Sequence, residues 1–361
     1  MAATGAEELS KSVGDWFIAV LWPGTERIMK VKLKVKRTNP ETGQSGYSQY
    51  EIEAAENVTL LDALIQVREY EDGSLALRCS CRSAICGSCS MRVDGRARLA
   101  CRAKVLAITR GDENHEMVVE PMGNMPVIKD LVNDMDSFWA KMRQVDPFLQ
   151  PEGPEPTAEY RVPNETMIDL THTMNCIMCG ACVSDCTVLE VDKNFIAPAA
   201  LAKAYRVVAD PRDDHEHDRL QKLSEYGGIW DCTRCNMCVE VCPKGVAPMN
   251  RILQLREMAL ENGIKNNAGA RHTNIFTKSI EDGGRLNEVW MLPGSVGMFN
   301  LPRILKEMPG ALKMARAGKL PIGQAIPPGF PGSHKMKGMD RVRNVVRKAA
   351  SLKPKKPEVT G

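Results

Sequence analysis

Twelve of the thirteen cysteines in this 361-residue chain fall into three groups of four, and no other feature of the sequence constrains its fold so strongly. The first group has the spacing C-x4-C-x2-C and ends with a cysteine twelve positions later. The second and third groups share the spacing C-x2-C-x2-C-x3-C. The members are Cys81, Cys86, Cys89 and Cys101; Cys176, Cys179, Cys182 and Cys186; and Cys232, Cys235, Cys238 and Cys242. The odd count and the tight clustering favour metal ligation over a disulfide framework.

The first group has the spacing by which plant-type ferredoxins hold a 2Fe–2S cluster. A short loop must wrap around such a cluster and direct its thiolates inward, and Gly87 gives the backbone room to turn. Zinc is the alternative, but a zinc site would normally show two C-x2-C pairs. Cys79 is the remaining cysteine. A spare, small buried residue is favoured for it over a surrogate ligand.

The residues around this loop predict a small α+β domain. Residues 29–37 and 47–53 alternate between apolar and polar side chains, as strands do, and residues 116–121 resemble a final strand. Residues 59–70 have the periodicity of a helix. Two strands, a crossing helix and further strands indicate the β-grasp fold.

The second and third groups repeat the pattern of dicluster ferredoxins, in which the last cysteine of each run binds the cluster of the other run. Cys242 is therefore expected to join Cys176, Cys179 and Cys182 on one 4Fe–4S cluster. Cys186 is expected to join Cys232, Cys235 and Cys238 on the other. Pro243 turns the chain away after its ligand, whereas Thr187 stands where a proline is expected. Neither chance nor zinc explains two copies of this pattern well.

The order of these motifs resembles the iron–sulfur subunit of succinate dehydrogenases and fumarate reductases. Residues 74–95 resemble the 2Fe–2S loop of that family, residues 119–139 its domain linker, and residues 195–214 the helix between its cysteine runs. The resemblance implies a relay that carries electrons from an FAD-containing flavoprotein subunit through three clusters to a membrane-associated, quinone-reactive subunit. It implies no catalytic residue in this chain, because chemistry on succinate or fumarate belongs to the flavoprotein.

The family usually has a residue that cannot bind iron at the second position of the last run, which gives a 3Fe–4S cluster. Here that position is Cys235, so a second 4Fe–4S cluster is favoured, and a 3Fe–4S cluster with Cys235 as a bystander is the alternative. Thr233 replaces a histidine, and the tryptophans that usually follow the first run are missing. These departures resemble variant complexes with two 4Fe–4S clusters and a different membrane-associated subunit.

The sequence thus predicts an N-terminal extension (1–28), a β-grasp 2Fe–2S domain (29–135), an all-α dicluster domain (136–262) and a C-terminal extension (263–361). Residues 271–294 weakly resemble a segment of heterodisulfide reductase-type subunits. The alternative function is therefore an iron–sulfur subunit of such a complex or of another flavin-linked oxidoreductase. No G-x-G-x-x-G motif, P-loop or nucleophile–base motif is present.

A net charge of +3 does not indicate a nucleic-acid partner. The most apolar run, residues 16–22, is far shorter than the ~20 residues that cross a bilayer, and is expected to form a buried strand or patch. We expect the protein to sit peripherally on the cytoplasmic face of a prokaryotic plasma membrane, held there by its partners. A Pro/Gly-rich linker (326–332) precedes a basic tail, for which a solvated, mobile end is favoured over a lipid-binding segment.

Overall fold

A computed structural model describes residues 28–154, 157–297, 300–319, 326, 331 and 336–351. Residues 349–351 are described by their backbone only. The apolar run 16–22 lies outside these residues, as does the linker 326–332 except for Ile326 and Pro331. The chain divides into two compact units. The first ends at Pro121 and also includes Val127–Val132; the second takes Met122–Pro126 and the described residues from Asn133 onward.

The first unit is built on one mixed sheet of five strands. These are β1 (Ile28–Thr38), β2 (Ser45–Ala55), β3 (Ser90–Val93), β4 (Arg96–Leu99) and β5 (Glu116–Glu120). Their order is β2-β1-β5-β3-β4, with β1 and β5 parallel and the other neighbours antiparallel. Two short helices accompany the sheet, α1 (Leu60–Gln66) and α2 (Val105–Thr109), and a hairpin of β6 (Val127–Lys129) and β7 (Val132–Asn133) follows. The predicted α+β fold with a β-grasp domain is confirmed.

Strand β1 forms because its side chains alternate between two environments. Val31 and Leu33 are buried on one face. The lysines between them point to the other face, where Lys36 pairs with Glu120 of β5 at 3.5 Å. Such half-exposed pairs contribute at most about 1 kcal/mol each, so the buried face decides the register.

Helix α1 is shorter than the predicted helix over residues 59–70. It begins at a capping box in which the Thr59 hydroxyl accepts the N–H of Asp62 at 3.2 Å. The α-helix ends at Gln66, and a π-helical turn, Val67–Glu71, follows. The N–H of Asp72 closes this turn on the carbonyl of Val67 at 2.8 Å, and the Asp72 carboxylate accepts the Tyr50 hydroxyl of β2 at 2.7 Å. The hydrogen bond between Asp72 and the sheet holds the end of this turn, which accounts for the change from α-helix to π-helix.

The second unit is helical. Its helices are α3 (Asp136–Gln144), α4 (Asn164–Met174), α5 (Ala181–Ser184), α6 (Thr187–Val191), α7 (Pro198–Val208), α8 (Glu216–Leu223), α9 (Met237–Glu240), α10 (Pro248–Glu261), α11 (Ala268–Gly283), α12 (Glu288–Val296), α13 (Leu301–Arg316) and α14 (Met339–Ser351). Helices α7 and α10 pack against each other in its core, where Leu201, Ile252 and Leu255 are fully buried. None of the described helices has the length and apolar content to cross a bilayer.

The segment 195–214 holds one helix, α7, that is shorter than the segment. Pro198 starts it at a position where a missing N–H costs nothing. Pro211 cannot continue it, and the Asp210 carboxylate accepts the Arg212 guanidinium at 2.6 Å beyond its end. The next helix, α8, therefore runs separately from Glu216.

The sequence favours a solvated, mobile end for the basic tail. The structure instead forms helix α14 within it. The Arg343 guanidinium donates to the carbonyls of Glu281 and Asp282 at 3.1 and 3.2 Å, at the C-terminal end of α11. Met339 is buried. A cation at the carbonyl end of a helix is favourable, and this contact secures α14.

Arg219 joins α8 to the chain that follows α3. Its guanidinium makes a bidentate pair with Asp213, both contacts at 3.0 Å, and donates to the carbonyls of Asp146 and Phe148 at 2.8 Å. Both charged side chains are buried, 7% and 0% exposed. Removing one partner of such a pair leaves the other as an unpaired buried charge.

We predict that Arg219→Met lowers the free energy of unfolding by about 3–5 kcal/mol. Lys222→Met is the matched control on the same helix. It removes a pair with Asp146 of similar length, 2.9 Å, between exposed side chains, and is expected to cost less than about 1 kcal/mol. Denaturant unfolding of the holoprotein, followed by far-UV circular dichroism, checks both values. Equal losses in the two variants would show that the buried pair is not a major source of stability.

Candidate metal centres

The loop between α1 and β3 directs backbone N–H groups at its cysteine sulfurs. Three of these groups donate to Sγ of Cys81 at 3.3, 3.3 and 3.2 Å: those of Ser83, Ile85 and Cys86. The N–H of Ala84 donates to Sγ of Cys101 at 3.3 Å. Hydrogen bonds to the charged form of a thiol favour that form, so the loop is built to hold thiolates.

Left-handed residues give the loop this geometry. Arg82, Ala84 and Gly87 have φ angles of 53°, 55° and 74°. Alternation of right- and left-handed residues turns successive N–H groups to one side and makes an anion-binding nest. Only Gly87 was expected from the sequence to make a special turn. The two non-glycine residues cost roughly 1–2 kcal/mol each, which the surrounding structure must offset.

The thiols of this loop ionise unequally. The hydrogen bond from the Ser88 hydroxyl, helped by the neighbouring N–H groups, lowers the pKa of the exposed Cys86 to about 6. Burial raises the pKa of Cys89 to about 12, with Cys101 and Cys86 as negative neighbours. Metal has to displace protons from such a set, and a 2Fe–2S cluster provides the positive iron that does so. Cys79 was expected to be buried, but its side chain is only half-buried.

Four cysteines of the helical unit line one cavity: Cys176, Cys179, Cys182 and Cys242. The structure thus brings together the cysteine that ends the third group and the first three of the second group. Ala199, Ala202 and Val246 complete the wall with small apolar side chains. Four thiols around one apolar cavity are the donor set by which proteins hold an iron–sulfur cluster.

The other four cysteines of this unit also lie together. Burial, and then the charges of Cys232 and Cys235, raise the pKa of Cys186. Burial raises the pKa of Cys238 to about 12, and Cys232, Cys186 and Cys235 add to the shift. The Thr187 hydroxyl, on the residue after Cys186, lies 3.5 Å from Sγ of Cys235. Cys186 is therefore near the third group rather than isolated at the end of the second.

Among the described residues, no three His, Cys, Asp or Glu side chains converge closely enough to chelate a single metal ion. A tetrahedral zinc site draws four sulfurs to about 2.3 Å from one point. The thiols of both units instead stand around loops and a cavity. Four thiols at each place are the donor set that binds iron in iron–sulfur proteins.

The helical unit contains a structural repeat that the cysteine spacing alone did not reveal. Met178 and Gly180 of the second group have left-handed φ angles of 55° and 77°, and Arg234 and Asn236 of the third group have 61° and 68°. A four-residue helix follows each pair, α5 and α9 respectively. Further on, α7 and α10 each follow an alanine with positive φ, 88° and 53°. The dipeptide Ala-Pro at both places was the sequence signal for this repeat.

Two polar side chains that sequence reasoning missed hold the cysteine-bearing backbone. The side-chain amide of Asn124 donates to the carbonyls of Val183, Ser184 and Cys186 at 2.9, 3.1 and 3.0 Å. The buried Arg256 of α10 donates to the carbonyls of Ile229 and Cys232, both at 2.7 Å. No local pattern marks either residue, because each acts on a segment distant in the sequence.

Both threonines that depart from the family pattern reach the same sulfur. The Thr187 hydroxyl donates to Sγ of Cys235 at 3.5 Å, and Thr233 also hydrogen-bonds to it. Burial alone would raise the pKa of Cys235, but these hydroxyls and the N–H of Met237 lower it below its ordinary value. The surroundings of Cys235 thus favour its thiolate, which is the form that binds iron.

Fold and cysteine geometry together define an iron–sulfur protein of the multi-cluster, electron-transfer class. Two family profiles match the chain: a 2Fe–2S iron–sulfur cluster binding domain over residues 32–140, and a 4Fe–4S dicluster domain over residues 172–246. The chain therefore carries 2Fe–2S and 4Fe–4S cluster domains.

Curated relatives agree. The chain is 31% identical over 285 residues to the 8-methylmenaquinol:fumarate reductase iron–sulfur subunit of Wolinella succinogenes, covering 77% of this chain and 88% of the relative. It is 34% identical to the succinate dehydrogenase iron–sulfur subunit of Paracoccus denitrificans, and the match covers 66% of this chain and 92% of the relative. It is 35% identical to the fumarate reductase iron–sulfur subunit of Mycobacterium tuberculosis, and the match covers 65% of this chain and 95% of the relative.

A chain of the Mycobacterium smegmatis Sdh1 complex in its apo form has a similar fold. Its TM-score is 0.59 at 24% identity, and the match covers 66% of this chain and 99% of that one. The chain belongs to the family of iron–sulfur subunits of succinate dehydrogenases and fumarate reductases.

We predict that Thr187→Val lowers the midpoint potential of the cluster beside Cys235. A hydrogen bond to sulfur stabilises the more negative, reduced state, and its loss is worth about 0.5–1.5 kcal/mol, or on the order of tens of millivolts for one electron. Redox titration followed by electron paramagnetic resonance measures the shift. Thr171→Val is the control, since that hydroxyl donates to the carbonyl of Met167 at 2.6 Å instead. An unchanged or raised potential in Thr187→Val would contradict the prediction.

Proposed function

We propose that this chain relays electrons between an FAD-containing flavoprotein subunit and a quinone-reactive membrane subunit of a succinate dehydrogenase or fumarate reductase complex. The observation that carries the proposal is the presence, in one chain, of a nest-forming cysteine loop and two repeated cysteine turns, with Cys242 of the third group beside the first three cysteines of the second. Iron–sulfur clusters supply one-electron transfer when bound. The heterodisulfide reductase-like alternative is not favoured, because the curated relatives are subunits of succinate dehydrogenases and fumarate reductases.

Each set of four thiols is assigned to one cluster. Cys81, Cys86, Cys89 and Cys101 hold 2Fe–2S in this proposal, supported by the N–H groups aimed at Cys81 and Cys101. Cys176, Cys179, Cys182 and Cys242 hold one 4Fe–4S cluster, supported by the cavity that they line. The protein's part is to present these sulfurs, to exclude water with Ala199 and Ala202, and to bring cations nearby.

Cys186, Cys232, Cys235 and Cys238 hold the third cluster, which we propose to be 4Fe–4S. Thr187 and Thr233 support this choice, because they occupy the positions where the family pattern differs and both hydrogen-bond to Cys235. A bystander cysteine has no need of three donors that favour its thiolate. The exposure of Cys235 places this sulfur at the surface, where an electron can leave or enter.

A fourth thiolate has a consequence for the electron acceptor or donor. It adds negative charge beside the iron and so disfavours reduction, which lowers the potential. Arg256 opposes part of this effect with a buried positive charge near Cys232. A low-potential cluster suits a menaquinone-type partner better than ubiquinone. The Wolinella relative, which is named for 8-methylmenaquinol, is consistent with this choice.

The test of the relay removes the 2Fe–2S cluster, which the proposal places between the flavin and the other two clusters. It uses this chain purified in complex with its flavoprotein subunit. The complex is reduced with dithionite, and fumarate is then added. In the wild type, fumarate is expected to re-oxidise all three clusters through the flavin, because they form one path. Cys86→Ala is expected to abolish the 2Fe–2S paramagnetic signal and to leave both other clusters reduced after fumarate is added.

Cys79→Ala is the control for this experiment, because it removes the neighbouring cysteine outside the proposed ligand set. It should behave as the wild type does. Full 2Fe–2S intensity in Cys86→Ala would refute the ligand assignment. Failure of fumarate to oxidise any cluster in the wild-type complex would refute the proposed function.

A second prediction concerns the type of the third cluster. Cys235→Ile leaves three thiolates and is expected to convert this cluster to 3Fe–4S, which has a paramagnetic resonance signal in its oxidised state. An oxidised 4Fe–4S cluster of this kind gives no paramagnetic resonance signal. The wild type, purified without air and oxidised, should therefore lack the 3Fe–4S signal. One 3Fe–4S spin per chain in the wild type would show that Cys235 is not a ligand.

A further inference from the structure

Helix α13 exposes a stripe of large apolar side chains. Leu301, Leu305, Met308 and Leu312 are 63%, 59%, 44% and 45% exposed. Their spacing of four, three and four residues places them on one face. In this helix, which the structure describes in full, no side chain is buried. The least exposed residues of the helix, Ile304 and Ala311, lie seven residues apart on a different line of the helix from the stripe.

Cations predominate among the charged residues of this helix. It carries Arg303, Lys306, Lys313 and Arg316, all exposed, against the single acid Glu307. Lys306 and Lys313 are seven residues apart and so lie on a common line along the helix. Arg316 follows Leu305 by eleven residues, which places it beside the apolar stripe.

We propose that α13 binds in the plane of an anionic lipid surface. Helices that lie in the membrane interface combine an apolar face, which enters the boundary of the acyl chains, with a Lys/Arg-rich polar face that meets anionic headgroups. Leu301, Leu305, Met308 and Leu312 supply the apolar face here. Lys306, Lys313 and Arg316 supply the attraction to phosphate.

The charge pattern favours lipid over a second copy of this chain. Two copies of α13 that paired through their stripes would bring their clusters of cations together, with only Glu307 on each to compensate. Like charges so placed oppose association. An anionic headgroup layer complements Lys306, Lys313 and Arg316 at once.

Helix α14 shows the same combination on a smaller scale. Val342 and Val345 are 40% and 68% exposed, while Met339 faces inward and is buried. The exposed Arg341 and Arg347 lie on the same short helix. The proposal rests on α13 alone.

Direct lipid contact goes beyond the proposed electron relay. Partner subunits would not be needed to bring this chain to a membrane, and α13 would fix which side of the helical unit faces the lipid. The test below contains no partner subunit and no redox step. Its failure therefore leaves the proposed relay standing.

The test is sedimentation of the full-length holoprotein with vesicles. Half of the samples contain phosphatidylcholine alone, and half contain equal amounts of phosphatidylcholine and phosphatidylglycerol. We expect binding to the anionic vesicles and at least about tenfold weaker binding to the neutral ones. Lys306→Glu/Lys313→Glu and Leu305→Ser/Leu312→Ser should each weaken binding to the anionic vesicles at least about tenfold.

The matched control is Lys265→Glu/Lys278→Glu, which makes the same change of charge at two exposed lysines outside α13. It should bind nearly as the wild type does. Unchanged cluster absorbance and circular dichroism verify that each variant is folded. Because both variants of α13 alter exposed side chains only, loss of fold is not expected from either.

Three outcomes would overturn the proposal. The wild type could fail to sediment with anionic vesicles, which would assign the stripe to a protein partner instead. The α13 variants could bind as the wild type does, which would place the lipid contact elsewhere in the chain. The control could lose as much affinity as Lys306→Glu/Lys313→Glu, which would reduce the effect to net charge.

Discussion

Hydrogen bonds from backbone N–H groups to cysteine sulfur are the interaction on which the rest of this structure depends. A cluster bound by four thiolates carries negative charge, and water cannot stabilise that charge inside a protein. The chain must supply the donors itself, and only a backbone that alternates between right- and left-handed residues can turn several N–H groups to one side. Arg82 and Ala84 are left-handed in the loop that makes these bonds, and Met178 and Arg234 are left-handed in the two cysteine turns of the helical unit. Sheet and helices alike serve to hold these turns in place.

Burial sets a second constraint on the same sulfurs. It raises the pKa of Cys89, Cys182, Cys186 and Cys238, so these thiols keep their protons until iron replaces them. The exposed Cys86 and Cys235 have lowered pKa values instead. A sulfur with a lowered pKa thus stands beside sulfurs with a raised pKa at two places: Cys86 beside Cys89, and Cys235 beside Cys186 and Cys238. Such an arrangement gives incoming iron a first point of attachment at the protein surface.

The sequence was sufficient for the main elements of the fold. Strand β1 could be predicted because lysines alternate with buried aliphatic residues, and the cysteine groups could be found because their spacing is local. The positions of Asn124 and Arg256 could not, since each holds a carbonyl that lies far away in the sequence. The left-handed turns at Arg82 and Ala84 were missed because neither residue type favours that conformation. Helix α14 was missed because its inward face is short and the many charges around it suggested a solvated tail.

The cavity that Cys176, Cys179, Cys182 and Cys242 share has a consequence for biosynthesis. The first three of these residues leave the ribosome well before the fourth, since helices α5 to α9 are translated in between. In the proposed ligand set Cys242 is the last member, so until it emerges the nascent chain offers three thiols without the fourth. Completion of this site is therefore a late event in synthesis. The cell has reason to keep the nascent helical unit shielded, or free of iron, until translation has passed the third cysteine group.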